Sequence, residues 1–202
     1  MVAFGIAIGV SSSSNRRSDK DSIQEIGFTH IENFDSDTIN IPISASIYDS
    51  IRDVITSDRF PEVTIFSIEG YTGSSRYITR IFSFTSAKNE RYPKFILKPE
   101  IVYFGKKVTF EFSSDFTRIF SLNSLDDNKN IQLVTNIFSN TALQESIFKD
   151  LKSISAEYIH IESNGSQIFY YWPGDLFYTQ NLLDIVATLT KFHETYLISK
   201  TK

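Results

Sequence analysis

The clearest run of hydrophobic and polar positions lies between Ala156 and Leu197 and reads strand, turn, strand, loop, helix. Tyr158 to Glu162 and Gln167 to Trp172 are rich in β-branched and aromatic residues. Asn164-Gly165 between them suits a type I′ hairpin turn, since both residue types tolerate positive φ. After Pro173-Gly174 the period becomes 3.6: Leu182, Ile185, Val186, Leu189, Phe192, Tyr196 and Leu197 form one apolar stripe. A helix so striped must lie on a sheet, and the hairpin before it is the expected platform.

The same pattern, followed from the other end, predicts a short helix from Asp19 to Ile26, stopped by Gly27, and a strand from Phe28 to Ile31. A polar turn follows at Asp35, Ser36 and Asp37. Ile47, Ile51, Val54 and Ile55 are helically spaced behind the cap candidates Ser44 and Ser46, and this helix is expected to end at Arg59 to Pro61. Glu62 to Glu69 and Arg76 to Ser86 form a hairpin joined by a Gly-containing loop, Tyr71 to Ser75. Apolar residues on both faces of both strands (Val63 and Ile65 against Phe66 and Ile68) require cover on both sides.

Lys88 to Arg91 reads as a charged turn. Pro93 and Pro99 confine Phe95 to Leu97 to a short or edge strand. Val108, Phe110 and Phe112 alternate as a strand, and Phe116 to Leu122 is a candidate partner for it. Asp126-Asp127-Asn128 offers caps for a helix carrying Ile131, Val134, Ile137 and Phe138. Asn140 starts another with Leu143, Ile147, Phe148 and Leu151, and Lys149 and Lys152 in its last turn suit the macrodipole. The expected fold is α+β: residues 19–202 as a single domain with a mainly antiparallel sheet of several hairpins covered by amphipathic helices, after an apolar N-terminal segment and Ser-rich linker at 1–18.

Composition narrows the function classes more than it names one. Eighteen Phe and ten Tyr suggest a core of rings and isoleucine, which favours strands. With no Cys, thiol nucleophiles and thiolate metal sites are excluded. A net charge of −4 argues against a general nucleic-acid binder, which needs a cationic face. Val2 to Val10 is an unbroken apolar run followed by serines and by Arg16, Arg17 and Lys20. A spanning helix needs about 20 such residues. Three readings stay open: a loosely packed tail, the end of a truncated membrane anchor, or a short interfacial or partner-binding segment. Under the second, the basic residues place the domain in the cytoplasm.

Concentrated chemistry is scarce. His160 and Glu162 fall on one face of a strand, where a His with a carboxylate can act as a base, although a solvated hairpin face explains the pair as well. His193 sits near the end of the last helix, where a positive ring would complement the dipole. The loop residues Gly73, Ser74 and Ser75 with Arg76 can cradle an anion through backbone amides, although a hairpin turn calls for the same residues. Asp35, Asp37, Asp126 and Asp127 supply too few oxygens for calcium and fit caps and turns. Lys106-Lys107 reads as a charged turn tip, and Tyr170, Tyr171 and Trp172 as core plus rim rather than a stacking platform. No catalytic, cofactor-binding or metal-binding residue is assigned, because no hydrolase, P-loop or dinucleotide motif occurs.

Several phrases, taken in order, resemble a family of uncharacterised bacterial proteins: GFTHIENF from Gly27, IFSIEGYTGSSRY from Ile65, YPKFILKPE from Tyr92, FSSDFTRIFSLNSLDD from Phe112 and EYIHIESNGSQIFYYWPG from Glu157. The resemblance covers about Asp19 to Leu197. It implies an N-terminal transmembrane anchor, a basic juxtamembrane segment and a cytoplasmic α+β domain with no assigned activity. The expectation is therefore a non-enzymatic interaction or scaffold domain with a protein partner at the cytoplasmic face of a bacterial membrane. The alternatives are a small-ligand or lipid-headgroup binding module and, third, an enzyme whose site cannot be recognised from sequence.

Overall fold

The computed structural model describes residues 21, 23–43, 50–72, 75–85, 91–99, 106–108, 116, 119–126, 128–149, 159–171 and 181–198. Val2 to Val10, residues 109–115, Leu151, Trp172 and the loop positions Gly73 and Ser74 lie outside them.

Among the described residues nine strands form one antiparallel sheet: β1 (Thr29–His30), β2 (Ser50–Thr56), β3 (Val63–Thr72), β4 (Ser75–Thr85), β5 (Phe95–Lys98), β6 (Lys106–Lys107), β7 (Ser121–Ser124), β8 (His160–Ser163) and β9 (Gln167–Tyr171), in the order β1-β2-β3-β4-β9-β8-β5-β7-β6. The α-helices α1 (Asn128–Phe138), α2 (Thr141–Lys149) and α3 (Leu182–Phe192) accompany it, with a 3-10 turn at Ser36–Thr38, and α3 runs on as a π-helix over His193–Ile198. The α+β single-domain expectation holds.

Alternation along the strands sends Val63, Ile65, Phe82, Phe84, Phe95, Leu97, Ile161, Ile168 and Tyr170 to one face, which we call the first. There they meet Val134, Ile137 and Phe138 of α1, Leu143 and Ile147 of α2, and Leu182, Ile185, Val186, Leu189 and Phe192 of α3 in one core. The second face carries Ile51, Phe66, Ile68, Ile81, Phe169 and Tyr171. The segment 31–43 covers them with Ile31, Phe34, Ile39 and Ile41 instead of a helix.

Several local signals act as expected. Gly27 (φ +84°) ends the first helical turn, with Gly27 N–H donating to Gln24 O and Phe28 N–H to Ile23 O, the paired bonds of a Schellman cap. Asp35 Oδ1 accepts from Asp37 N–H in the polar turn, and Asn140 Oδ1 accepts from Ala142 and Leu143 N–H to start α2. A polar clamp joins the layers: Asn130 of α1 accepts from Lys94 N–H at 2.9 Å and donates to Lys94 O at 2.8 Å and Ser124 Oγ at 2.5 Å. Its amide thus takes the place of a strand neighbour just before β5.

Four expectations need correction. Residues 50–56 form strand β2, not a helix: between Arg52 and Ile55 a β-bulge sets Asp53 and Val54 against Phe66, so Ile51 and Val54 share a face three residues apart. The bulge counterfeits a helical spacing. The Tyr71 to Ser75 loop is shorter than expected, because Tyr71↔Arg76 and Thr72↔Ser75 remain paired. Phe95 to Leu97 is the short strand expected, and it lies inside the sheet between β7 and β8. Lys106 and Lys107 pair with Ser124 and Asn123 as an outer strand instead of forming a turn tip. Phe116 and Ile119 are helical, with Phe120 N–H donating to Phe116 O, and β7 begins only at Ser121.

The β8–β9 turn also shifts by one residue. Gly165 takes φ +100° while Asn164 does not enter the positive region, so Gly165-Ser166 are the central pair, with the signs of a type II′ turn. Asn164 flanks the turn and its Oδ1 accepts from Ser166 and Gln167 N–H.

Candidate ligand-binding cleft

The helices cover only part of the first face. Beyond them, β2, β3 and β4 carry polar residues where the alternation would otherwise continue the core: Arg52 pairs with Ser67, Ser67 with Arg80, and Ser50 with Glu69. Glu69 and Ser67 share strand parity with Val63 and Ile65, so the sheet holds them on the inward-facing side, and both are buried, at 3% and 1% exposure.

Two arginines converge on Glu69. Arg76 Nε lies 2.5 Å from its Oε1 and Arg52 Nε 2.7 Å from its Oε2. The second contact lacks the alignment of a hydrogen bond, so Oε2 keeps acceptor capacity although it is held by charge. The Ser67 hydroxyl has no hydrogen-bond partner among the described residues. The carboxylate side chain is 5% exposed while Arg52 and Arg76 are 45% and 47% exposed, so negative charge is sealed below and positive charge faces outward.

These groups line a cleft of about 370 Å³, walled by Phe34, Ile51 and Ile78 and rimmed by Asp53. Its size falls in the range of small-molecule sites. The bulge shapes it. β1 pairs with β2 only at Ile55 and Thr56, which leaves Ser50–Asp53 without a β1 partner, and walls from both faces meet around this edge. Asp53 takes φ +52° at the bulge, the left-handed conformation that acidic side chains tolerate better than most. Its carboxylate lies 3.6 Å from His30 Nε2.

Of the residues singled out by sequence, Arg76 belongs to this cleft and Ser75 opens β4 beside it, paired with Thr72. His160 and Glu162 lie elsewhere. They share the second face of β8, separated from β3 by β4 and β9. Glu162 is fully buried rather than solvated: it accepts from the backbone N–H of Ile43 and, at 3.4 Å, from the Tyr171 hydroxyl, so it fastens the end of the covering segment. His160 packs its ring against Tyr171, centroids 4.8 Å apart. The sheet therefore keeps His160 and Glu162 apart from Arg76.

His193 is likewise not the charged helix-end residue expected. It is 2% exposed, stacks on Phe84 at 4.9 Å, and holds Tyr92 Oη at 3.1 Å on Nε2 and Tyr170 Oη at 2.9 Å on Nδ1. Burial pushes its pKa down to about 4, and burial, with Tyr92 alongside, pushes Tyr170 well above its ordinary value. A neutral imidazole has one donor and one acceptor, so one tyrosine donates and the other accepts.

Arg52, Ser67 and Glu69 are the site residues that sequence reasoning missed. The available signal was Ser67 and Glu69 standing at core-parity positions of a strand apolar on both faces. No family model, curated protein or solved structure matches this chain.

Proposed function

We propose that this protein is a small-ligand binding module whose site is the Arg52–Glu69–Arg76 cleft. The observation that carries the reading is convergence: two half-exposed guanidinium groups, a sealed carboxylate and a buried hydroxyl with unused hydrogen-bonding capacity border one concavity that also has apolar walls. A scaffold that docks protein partners calls instead for a broad apolar surface. Among the described residues only Ile43 and Leu133 are exposed large hydrophobics, at 41% and 43%.

Placement at the cytoplasmic face of a bacterial membrane belongs to the same proposal. It rests on the resemblance to anchored bacterial proteins and on the basic residues after Val10. Among the described residues no helix is long and apolar enough to cross a membrane.

A thermal-shift screen of the purified protein against a metabolite panel tests the binding role. The expected result is a dose-dependent rise in Tm for at least one compound, abolished in Arg76→Gln, since a ligand that binds only the folded state stabilises it by mass action. A panel without hits, together with specific protein capture from native membranes, would favour the scaffold.

A further inference from the structure

Resting on that reading of the cleft, we infer that its ligand is a small organic monocarboxylate with an apolar body, seated with its carboxylate on Arg52 and its body against Phe34, Ile51 and Ile78. The sign of the charge follows from depth. Two guanidinium groups share one carboxylate, and that carboxylate lies at the bottom, 5% exposed, beneath arginines nearly half exposed. Within the cleft, a ligand entering from solvent therefore reaches the two guanidinium groups before the carboxylate beneath them. Among the described residues Arg52 holds Glu69 and Ser50 with its Nε, so its two terminal nitrogens are placed to form the parallel pair of hydrogen bonds that a planar carboxylate accepts. Ser67, whose hydroxyl has no partner among the described residues, stands in the same wall.

The charge number follows from the rim. Asp53 borders the cleft at 56% exposure, with His30 Nε2 3.6 Å from its carboxylate. A second negative charge on the ligand would face that carboxylate, so the site disfavours a phosphate monoester, which carries nearly two charges at neutral pH. The apolar body follows from the three hydrophobic wall residues.

The test is a calorimetric titration at low ionic strength with hexanoate, benzoate, phenyl phosphate, hexanol and hexylamine, with amide chemical shifts mapped in parallel. Hexanoate or benzoate is expected to bind saturably, shifting the amides of Ser67, Glu69 and Ile78. Hexanol and hexylamine are expected to bind at least 10-fold more weakly, and phenyl phosphate more weakly than benzoate. Arg52→Gln should lower carboxylate affinity at least 10-fold, and Arg52→Lys, which keeps the charge but not the fork, about 3-fold or more. Undisturbed shifts away from the cleft show that each variant is folded. Tighter binding of the alcohol, the amine or the phosphate in the same cleft would overturn the monocarboxylate while leaving the cleft a binding site. Carboxylate affinity unchanged in Arg52→Gln would also overturn it. No shift at the cleft with any probe at millimolar concentration would overturn both.

Discussion

The first face of the sheet has two ends that treat buried polar groups differently. Under the helices, three buried polar side chains are matched inside the protein: His193 by Tyr92 and Tyr170, Asn130 by Lys94 and Ser124, and Gln144 by the Phe138 carbonyl at the end of α1. At the far end, Ser67 has no partner among the described residues, one oxygen of Glu69 has charge but no aligned donor, and Arg52 and Arg76 stand half in solvent. Strand β4 reaches both ends, with Phe84 stacked on His193 at one and Arg76 beside Glu69 at the other. The difference teaches that matched polar groups register the layers, whereas open valences beside a cavity are reserved for something that enters it.

The largest expected effect lies at the matched end. Asn130→Leu removes the clamp and leaves the Lys94 N–H and C=O to find new partners, with an expected cost of roughly 4 kcal/mol by urea unfolding. A cost below about 1 kcal/mol would mean that water replaces the amide and that the clamp is dispensable.

Next comes acid sensitivity. The folded chain keeps His193 neutral down to about pH 4, whereas the unfolded chain takes up a proton near the ordinary value of 6.5. Between those values the unfolded state binds more protons, so stability is full above pH 6.5 and falls as the pH drops toward 4, by on the order of 3 kcal/mol from this residue. Urea unfolding across that range measures the slope. In His193→Asn, which is less stable at pH 7, this contribution to the slope is expected to vanish, and an unaltered slope would assign it to other groups.

Asp53 tests how the cleft is shaped. A β-branched residue is poorly accommodated at φ +52°, so Asp53→Val should cost about 1–2 kcal/mol, while Asp53→Gly should be tolerated within about 1 kcal/mol. Equal effects of the two would place the cost in the lost carboxylate, not in the backbone. Smallest of all, Glu69→Gln should lower stability by about 1 kcal/mol, because the freed guanidinium groups can hydrate at the mouth. The same change should raise affinity for anions.

Much of this architecture is legible in the residues. The stripe Leu182, Ile185, Val186, Leu189 and Phe192 is buried as its period requires, and β3 and β4 are apolar on both faces because both faces are covered. What misleads is local irregularity. A bulge makes Ile51 and Val54 look helical, and Asn164 serves as the flank of a turn whose centre is Gly165-Ser166. The cleft was legible only in Arg76. Arg52, Ser67 and Glu69 are ordinary strand residues until the register of three strands sets them side by side, and that register depends on the same bulge. Likewise His160 and Glu162 share a face as their spacing demands, but nothing in that spacing tells that the segment ending at Ile43 lies over Glu162.

The contrast between the two ends is tested most directly by the unfolding free energy of the Arg52→Gln, Glu69→Gln, Arg76→Gln triple variant, which leaves no buried charge without a partner, measured in urea without ligand beside the parent and Asn130→Leu. The expected value lies within about 1 kcal/mol of the parent, because the arginines are nearly half exposed and the carboxylate they neutralise is replaced along with them. A loss near 4 kcal/mol, equal to that of the Asn130 clamp, would show that the arginines hold the fold together and would contradict their assignment to a ligand.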